Sequence, residues 1–360
     1  MSTVQDSPPD SAPARGAYPQ AWPAYNRAQM IEKQRVPELL RSLCSAIESP
    51  PQGRGRPRLP LADGVFAAVM KVYGGASSRR TTSDMRAYEK LGLIDHAPHY
   101  NSVCNVLENP TVTPILKAMI EESVRPLREV ESDFAVDSSG FASSIYRRWF
   151  DAKYGRERTR GDFVKAHIMV GTKTNIVTSV EVTPAAISDY QIFSPLVKST
   201  AARFDVARIS ADKAYSGRSN LALVDSIGAV PLIPFRSNAK KSAISPLWNR
   251  MYSYFHENAE EFYRLYHKRS NVEAAFYMIK SKFGAFVRSK TPTAQVNEVL
   301  CKIVCHNLCC LISASYELGV EPEFWSNGTA ALTDSRPPAR FRNIPPRTPW
   351  SRSVRPPGPN

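Results

Sequence analysis

Hydrophobic residues between positions 25 and 128 recur at helical spacing, which predicts an N-terminal region built of helices. The predicted helices lie around Leu39–Ile47, Leu61–Tyr73, Asp84–Leu91 and Ile115–Val124. Glycine, proline and arginine at positions 53–58 interrupt the pattern and predict a linker between the first two helices.

From about residue 129 the pattern changes to short apolar runs that are typical of buried strands. Strands are predicted at Asp133–Asp137, Phe163–Val170, Ile176–Val182, Val206–Ala211 and Val230–Ile233. A hairpin turn is expected at Gly171–Asn175, and helices are expected near Ile192–Val197 and Ser219–Ile227. Strands followed by strand–helix–strand units predict an α/β domain over residues 129–320, with a mixed sheet flanked by helices.

Three further segments complete the predicted organisation. Residues 236–256 are polar and are expected to be an irregular insertion or flap, whereas the chain from Glu257 to about Tyr316 is strongly helical. Residues 1–24 and 321–360 lack hydrophobic periodicity, so we predict a disordered leader and a disordered tail rich in proline and arginine.

The charge balance indicates a polyanionic partner. The chain has 47 basic and 33 acidic residues, a net charge of +14, and 42% hydrophobic residues, which is enough for a core. Nucleic acid is the commonest such partner, although ribosomal and membrane-surface proteins are also basic. With this charge, the N-terminal helices at 25–128 are consistent with a DNA-binding region.

The compartment is expected to be the cytoplasm. No apolar run reaches the about 20 residues that a membrane span needs, and the N-terminus has no apolar signal segment, so no membrane partner is expected. Four of the six cysteines fall within ten residues, which is a poor disulfide framework and suits a reducing compartment.

Two carboxylates follow predicted buried strands and are candidates for chemistry. Asp137 follows Phe134-Ala135-Val136, and Asp212 follows Ile209-Ser210-Ala211. A buried charge is costly unless it is paired or metal-bound, and Mg²⁺ prefers carboxylate oxygens. The alternative is that each aspartate merely caps the turn or helix that follows it, and the residues alone leave both interpretations open.

A third acidic residue belongs to a pattern along one predicted helix. Tyr266, Arg269, Glu273 and Lys280 follow each other at steps of three, four and seven residues. On a regular α-helix they would share a stripe about 60° wide and about 21 Å long. One acid between two cations and a tyrosine suits a phosphate backbone with a metal in its middle. A solvated, salt-bridged helix face explains the Arg269–Glu273 spacing equally well.

The same four residues resemble a known signature. Tyr-x2-Arg-x3-Glu-x6-Lys, at Tyr266 to Lys280, resembles the Y-R-E-K signature of bacterial insertion-sequence DDE transposases. The segments Ala135–Phe141 and Ala211–Tyr215 resemble those that hold the family's two aspartates, and Asn307-Leu308 resembles its end. The chain departs from the family's frequent residues at Ala214, where glycine is common, and at Ser139, where threonine is common.

This resemblance implies a ribonuclease H-like catalytic domain in a DNA transposase. Asp137, Asp212 and Glu273 would be the catalytic residues and would bind two Mg²⁺ or Mn²⁺ ions. Water would cut a phosphodiester at the end of the element, and the freed 3′-OH would attack target DNA. Arg269 and Lys280 would contact DNA phosphates and Tyr266 would position the strand, with a homodimer expected on the DNA.

Two alternatives and one further DNA contact remain open. A nuclease of the same fold would cut without strand transfer, and a catalytically inactive descendant would bind DNA alone. The sequence Arg54-Gly55-Arg56-Pro57 resembles the core of an AT-hook, so Arg54 and Arg56 are candidate minor-groove contacts. A basic linker in front of a helix would give the same string.

Overall fold

The computed structural model describes residues 21–52, 54–55, 58–143, 153 and 163–325. Its sheet has five strands in the order β3-β2-β1-β4-β5. The strands are β1 (Asp133–Ala142), β2 (Phe163–Gly171), β3 (Val177–Pro184), β4 (Arg208–Ala211) and β5 (Val230–Leu232). β1, β2 and β3 are antiparallel neighbours, whereas β4 is parallel to β1 and β5 is parallel to β4. The predicted mixed sheet flanked by helices is confirmed.

Helices precede the sheet, connect its later strands and follow it. They are α1 (Trp22–Cys44), α2 (Leu61–Tyr73), α3 (Ser78–Lys90), α4 (Tyr100–Glu108), α5 (Val112–Ser123), α6 (Asp189–Ala201), α7 (Arg218–Ser226), α8 (Pro246–Glu257), α9 (Ala259–Tyr266), α10 (Ser270–Phe283) and α11 (Pro292–Leu318). Short 3₁₀ turns occur at Arg125–Leu127, Lys213–Tyr215 and His267–Arg269. Helix α2 has the predicted bounds, because it follows Pro60 and stops at Gly74-Gly75, where Gly75 has a φ of +61°.

The structure corrects several expected boundaries. β1 does not end at Asp137 but continues to Ala142, because Ser138 to Ala142 pair with β2. Residues 246–256 are not irregular, since they belong to α8, whose first turn is capped by the Ser245 hydroxyl accepting from Trp248 N. Whether this segment acts as a flap stays a prediction.

The boundaries of both termini also shift. Helix α1 begins at Trp22, inside the predicted leader, and residues 1–20 lie outside the described part of the chain. At the other end, Trp325 donates from its ring nitrogen to Leu43 O at 3.1 Å and from its backbone to Glu122 at 2.7 Å. The chain is therefore anchored as far as residue 325, and the predicted tail from 326 onward lies outside the described residues.

Alternate residues of β1 face two hydrophobic cores, one on each side of the sheet. Ala135 and Phe141 face the core that includes α1, α2 and α11. Phe134 and Val136 face the opposite core, which includes α6 and α7. The period of two is what a strand buried on both faces requires. The N-terminal helices thus share a core with the sheet instead of forming a separate one.

Helix α11 lies at the centre of the first core. It has 27 residues and a mean hydropathy of 1.5 over its most apolar window, so it is long and apolar enough to cross a membrane by those criteria alone. In the folded chain 72% of that window is buried, which identifies a core helix. Asn307, fully buried on α11, donates to Ser123 Oγ and Val177 O at 2.8 Å and accepts from Val177 N at 2.9 Å.

Candidate active site

Asp137 and Asp212 lie side by side at one edge of the sheet. Val136 of β1 pairs with Ala211 of β4 in parallel register, and an aspartate directly follows each of these two residues in the chain. β4 ends there, so Asp212 enters the Lys213–Tyr215 turn, while β1 continues along β2. The two carboxylates that the sequence singled out are therefore brought together.

The Asp137 carboxylate is partly desolvated, with its side chain 25% exposed. Its Oδ1 accepts from Ser138 N at 2.8 Å and its Oδ2 accepts from Arg269 NH1 at 3.0 Å. Burial raises the pKa of Asp137, and the nearby Asp212 raises it further, against the lowering effects of the Ser138 amide and Arg269. A bound cation would favour its charged form.

Asp212 is held by its own turn. Its Oδ1 accepts from Lys213 N at 2.6 Å, and it precedes the 3₁₀ turn as the N-cap residue. The capping alternative is therefore realised at Asp212, and it leaves Oδ2 free of any hydrogen bond among the described residues. Capping and metal binding are compatible, because a carboxylate has two oxygens.

Arg269 connects the first aspartate to the glutamate. It donates to Asp137 from NH1 and to Glu273 Oε1 from NH2. Glu273 lies in the first turn of α10 with its side chain 58% exposed. Burial alone would lower the pKa of Arg269, but Tyr266, Asp137 and Glu273 together raise it above its usual value. A guanidinium thus lies between two of the three predicted ligands.

The predicted single-helix stripe is wrong in its geometry. Tyr266 is the last residue of α9, and the His267–Arg269 turn separates it from α10. Since a 3₁₀ turn has about three residues per turn, residues three apart are still stacked. The Arg269 guanidinium is 5.9 Å from the centre of the Tyr266 ring, which also stacks on Phe262.

Lys280, on α10, contacts β1 two residues beyond Asp137. Its Nζ donates to Ser139 Oγ at 2.6 Å and is 5.3 Å from the centre of the Phe141 ring. Burial lowers the pKa of Lys280. Ser139, where threonine is frequent in the family, is therefore the hydroxyl partner of Lys280. Serine and threonine both offer a hydroxyl acceptor at this position.

Two arginines predicted to contact DNA come from the loop between α1 and α2. Arg54 is exposed in a bend of that loop. Arg56 lies outside the described residues. Their contact with a minor groove stays a prediction.

The donor set fits a hard divalent ion, although its members are not yet grouped. The three side chains offer carboxylate oxygens, which Mg²⁺ and Mn²⁺ prefer. Within the described parts of the chain, no three His, Cys, Asp or Glu side chains are close enough to hold a metal ion. Arg269, a cation, occupies the space between Asp137 and Glu273.

Sequence reasoning missed the residues beneath the aspartates. The Tyr215 side chain is 1% exposed, and its pKa is raised by burial and then by Asp189, Asp137 and Asp212. On the neighbouring strand, the buried His167 ring contacts the Asp189 carboxylate at 3.2 Å. Asp189 is the first residue of α6, after the N-cap residue Ser188, and its carboxylate faces β2. No local pattern marks these contacts, because they join separate elements.

The chain is similar to known transposases. Residues 128–308 match the family model described as Transposase DDE domain. The chain is 29% identical over 167 residues to the probable transposase for insertion sequence element ISA1214 of Archaeoglobus fulgidus, covering 46% of this chain and 49% of that protein. The chain thus spans about half the length of that relative.

A solved structure aligns with a larger share of the chain at lower similarity. It is the cryo-EM structure of the piggyBac transposase synaptic complex with hairpin DNA, at 11% identity and a TM-score of 0.39, covering 82% of this chain and 78% of that one. The family match extends from just before β1 into α11 and includes Asp137, Asp212 and Glu273. Because it covers half of the chain, the protein belongs to the Transposase DDE domain family.

Proposed function

We propose that this protein is an active insertion-sequence transposase that cuts the ends of its element and joins them to target DNA. The observation that carries the proposal is the parallel register of β1 and β4, which places Asp137 beside Asp212. The link from Asp137 through Arg269 to Glu273 brings the third acid to the same edge. Asp137, Asp212 and Glu273 would be the metal ligands of this site.

The sheet supports the ribonuclease H-like fold that the resemblance implies. Three antiparallel strands are followed by two parallel ones, in the order β3-β2-β1-β4-β5. The proposed ligands lie on β1, just after β4, and on a helix packed against β1. The carboxylates therefore lie where β4 ends beside the middle of β1, and we propose that DNA approaches the sheet there.

Two bound Mg²⁺ or Mn²⁺ ions would activate the attacking oxygen and stabilise the leaving oxygen. The residues themselves orient the substrate. Once released from Asp137, the Arg269 guanidinium can donate a pair of hydrogen bonds to a phosphate, and the Tyr266 ring beneath it restrains its direction. Lys280 would contact a second phosphate along β1, with Ser139 holding its Nζ in place.

The reaction consists of two displacements at phosphorus. Water attacks a phosphodiester at the end of the element, the P–O3′ bond breaks, and a 3′-OH and a 5′-phosphate are released. That 3′-OH then attacks a target phosphodiester, forming one P–O bond as another breaks. No covalent protein–DNA bond is needed, and the partners are element ends, target DNA and a second copy of this chain in a homodimer.

One observation favours the catalytically inactive alternative. The three carboxylates are not grouped for a metal, and Arg269 is paired with two of them. A protein that only binds DNA would keep this arrangement permanently, whereas a nuclease would cut without joining. Incubation of the purified protein with its own terminal DNA and Mg²⁺ separates the three: joined products support the transposase, nicks alone support the nuclease, and intact DNA supports the inactive form.

A further inference from the structure

A cavity of about 160 Å³ lies where the end of α2 meets the end of α10 and the first half of α11. Its volume is about ten times the minimum that a single water molecule needs. Its lining has four cationic side chains and one acidic side chain: Lys71, Lys282, Arg288, Lys302 and Glu298. The cavity is separate from the carboxylate site and no step of the proposed reaction uses it.

Lys71 is the unusual member of this lining. It belongs to the last turn of α2 and is 8% exposed. Among the residues that the structure describes, it has no hydrogen bond and no ion pair. The stem of Lys71 is therefore buried, but its ammonium is not one of the buried polar atoms that lack a partner in the described residues, so it reaches the cavity. An anionic partner for Lys71 would have to lie in that cavity.

The acidic residue in the lining does not supply that partner. Both carboxylate oxygens of Glu298 accept from backbone amides, at 2.9 and 3.1 Å from Arg288 N and at 2.8 Å from Ser289 N. Lys282 is paired with Glu32, which lies outside the lining. Glu298 thus holds the chain that follows α10 and leaves the cavity positively charged.

Lys302 adds charge without being available as a donor. Its Nζ donates to three backbone carbonyls, those of Phe283, Gly284 and Phe286, at 2.7 to 2.8 Å. An ammonium has three protons, so all of them are used. Lys302 therefore contributes a fixed positive field, while Lys71 still has all of its donors.

Arg288 completes the arrangement. It is exposed, and its guanidinium lies 5.8 Å from the centre of the Phe286 ring, which restrains it near the cavity. No ion pair of Arg288 occurs in the described part of the chain. A planar guanidinium and a point-charge lysine lining one cavity are a combination that suits a tetrahedral oxyanion.

We propose that this cavity binds a phosphate group, with Lys71 and Arg288 as its direct contacts and Lys302 as its fixed charge. The binding of phosphate as such does not depend on the proposed transposase activity. The source can be a DNA backbone or a free phosphate. The first is favoured by proximity, because the buried Phe141 ring lies 5.3 Å from Lys280 Nζ and 5.6 Å from Lys302 Nζ, which puts the cavity near the proposed DNA contact at Lys280.

The test uses the full chain and inorganic phosphate as the probe. Calorimetric titration with phosphate, with chloride at equal ionic strength as reference, is expected to show saturable binding. Lys71→Met and Arg288→Gln should each weaken it about tenfold or more, since a charged hydrogen bond is lost. Lys90→Met is the matched control, because Lys90 is an exposed lysine in the last turn of α3.

Thermal unfolding supplies a second readout that does not depend on the heat of binding. Phosphate should raise the Tm of the wild-type chain and of Lys90→Met, but not that of a folded Lys71→Met. No phosphate-specific binding by the wild-type chain, or equal binding by all variants, would overturn the proposal. Asp137→Ala should bind phosphate normally, so failure of the proposed catalytic site is distinguishable from failure of this one.

Duplex DNA identifies the source. If the site takes a backbone phosphate, Lys71→Met should also weaken duplex binding and reduce its salt slope by about one. If phosphate binding is lost while duplex binding is unchanged, the site takes free phosphate or a phosphomonoester. Either result supports a phosphate site.

Discussion

The guanidinium of Arg269 donates to the Asp137 carboxylate at 3.0 Å and joins it to Glu273, four residues further along the chain. In the protein without DNA, a cation of the chain itself thus occupies the place proposed for a metal ion. Arg269 has two proposed uses, one as a partner of Asp137 and one as a phosphate contact. It cannot serve both at once through the same donors.

Removal of any proposed ligand should abolish DNA cleavage. Asp137→Ala, Asp212→Ala and Glu273→Ala should each reduce the cleavage rate by more than about 100-fold. Loss of a residue that only supports a metal ligand typically costs about 10–100-fold, and loss of a ligand itself should cost more. The measurement is Mg²⁺- or Mn²⁺-dependent nicking of terminal DNA, with DNA affinity measured in parallel. Glu261→Ala, an exposed acid on α9, is the control. Full cleavage by any of the three variants would remove that residue from the site.

Arg269→Gln should bind Mn²⁺ more tightly than the wild-type chain when DNA is absent. The substitution removes a positive charge and frees an oxygen of Asp137, and on the order of tenfold tighter binding is expected for a charge at this range in a partly solvated site. Electron paramagnetic resonance of free Mn²⁺ measures the Kd. Arg264→Gln, on the helix before, should leave it unchanged. Arg269→Gln should also cleave DNA poorly, because its proposed phosphate contact is lost. An unchanged Mn²⁺ affinity in Arg269→Gln would contradict the idea that Arg269 and a metal ion compete for Asp137.

Lys280→Met should weaken binding of terminal DNA and lower its salt slope by about one, because one phosphate contact is removed. Fluorescence anisotropy at several salt concentrations gives the slope. Ser139→Thr keeps the hydroxyl that accepts from Lys280 Nζ and should preserve the wild-type slope. A wild-type slope in Lys280→Met would show that this lysine serves only the fold.

Asn307→Leu should destabilise the fold by about 2–4 kcal/mol, since the backbone N–H and C=O of Val177 lose their bonds to this amide. The Ser123 hydroxyl loses one donor but still donates to Ile120 O. Urea unfolding measures the change. Tyr316→Phe, an exposed position on the same helix, should change stability by no more than about 0.5 kcal/mol. A loss below about 1 kcal/mol in Asn307→Leu would mean that the edge strand finds other partners.

Stability should fall with acid through His167. Burial lowers the pKa of His167 to about 4, against the raising effect of Asp189. The folded pKa lies below the unfolded one, so the unfolded chain binds the proton first, and this contribution is present above about pH 6.5 and is lost towards pH 4. The stability advantage of the wild-type chain over His167→Asn should shrink by about 2 kcal/mol between pH 7 and pH 5.

The same measurement on His96→Asn supplies the reference for an exposed histidine. An equal pH dependence for His167→Asn and the wild-type chain would mean that His167 is accessible to protons in the folded state.

The sequence predicted the elements whose signals are local. Helix α2 has the predicted bounds, because proline precedes it and glycine follows it. The family resemblance carried by the residues from Tyr266 to Lys280 is also confirmed. The end of β1 was wrong, because the pairing of Ser138 to Ala142 with β2 depends on residues far away in the chain.

The chemical types at the site were predictable, but their contacts were not. Each carboxylate follows a recognisable segment, whereas the bond from Arg269 to Asp137 joins residues 132 positions apart. The stripe assumed a regular helix, and the turn at His267–Arg269 breaks it. Lys268 of that turn donates to Asp133 at the start of β1 at 2.8 Å, a tertiary contact that helical periodicity does not encode.

The N-terminal helices cover the apolar surface of α11, a structural role that does not involve DNA. By length and composition it could enter a lipid bilayer, and α1, α2 and α5 are what cover it. A chain that lacked residues 21–128 would expose this surface to water, membranes and other copies of itself. The amino-terminal helices thus supply the apolar contacts without which α11 would be an exposed hydrophobic surface.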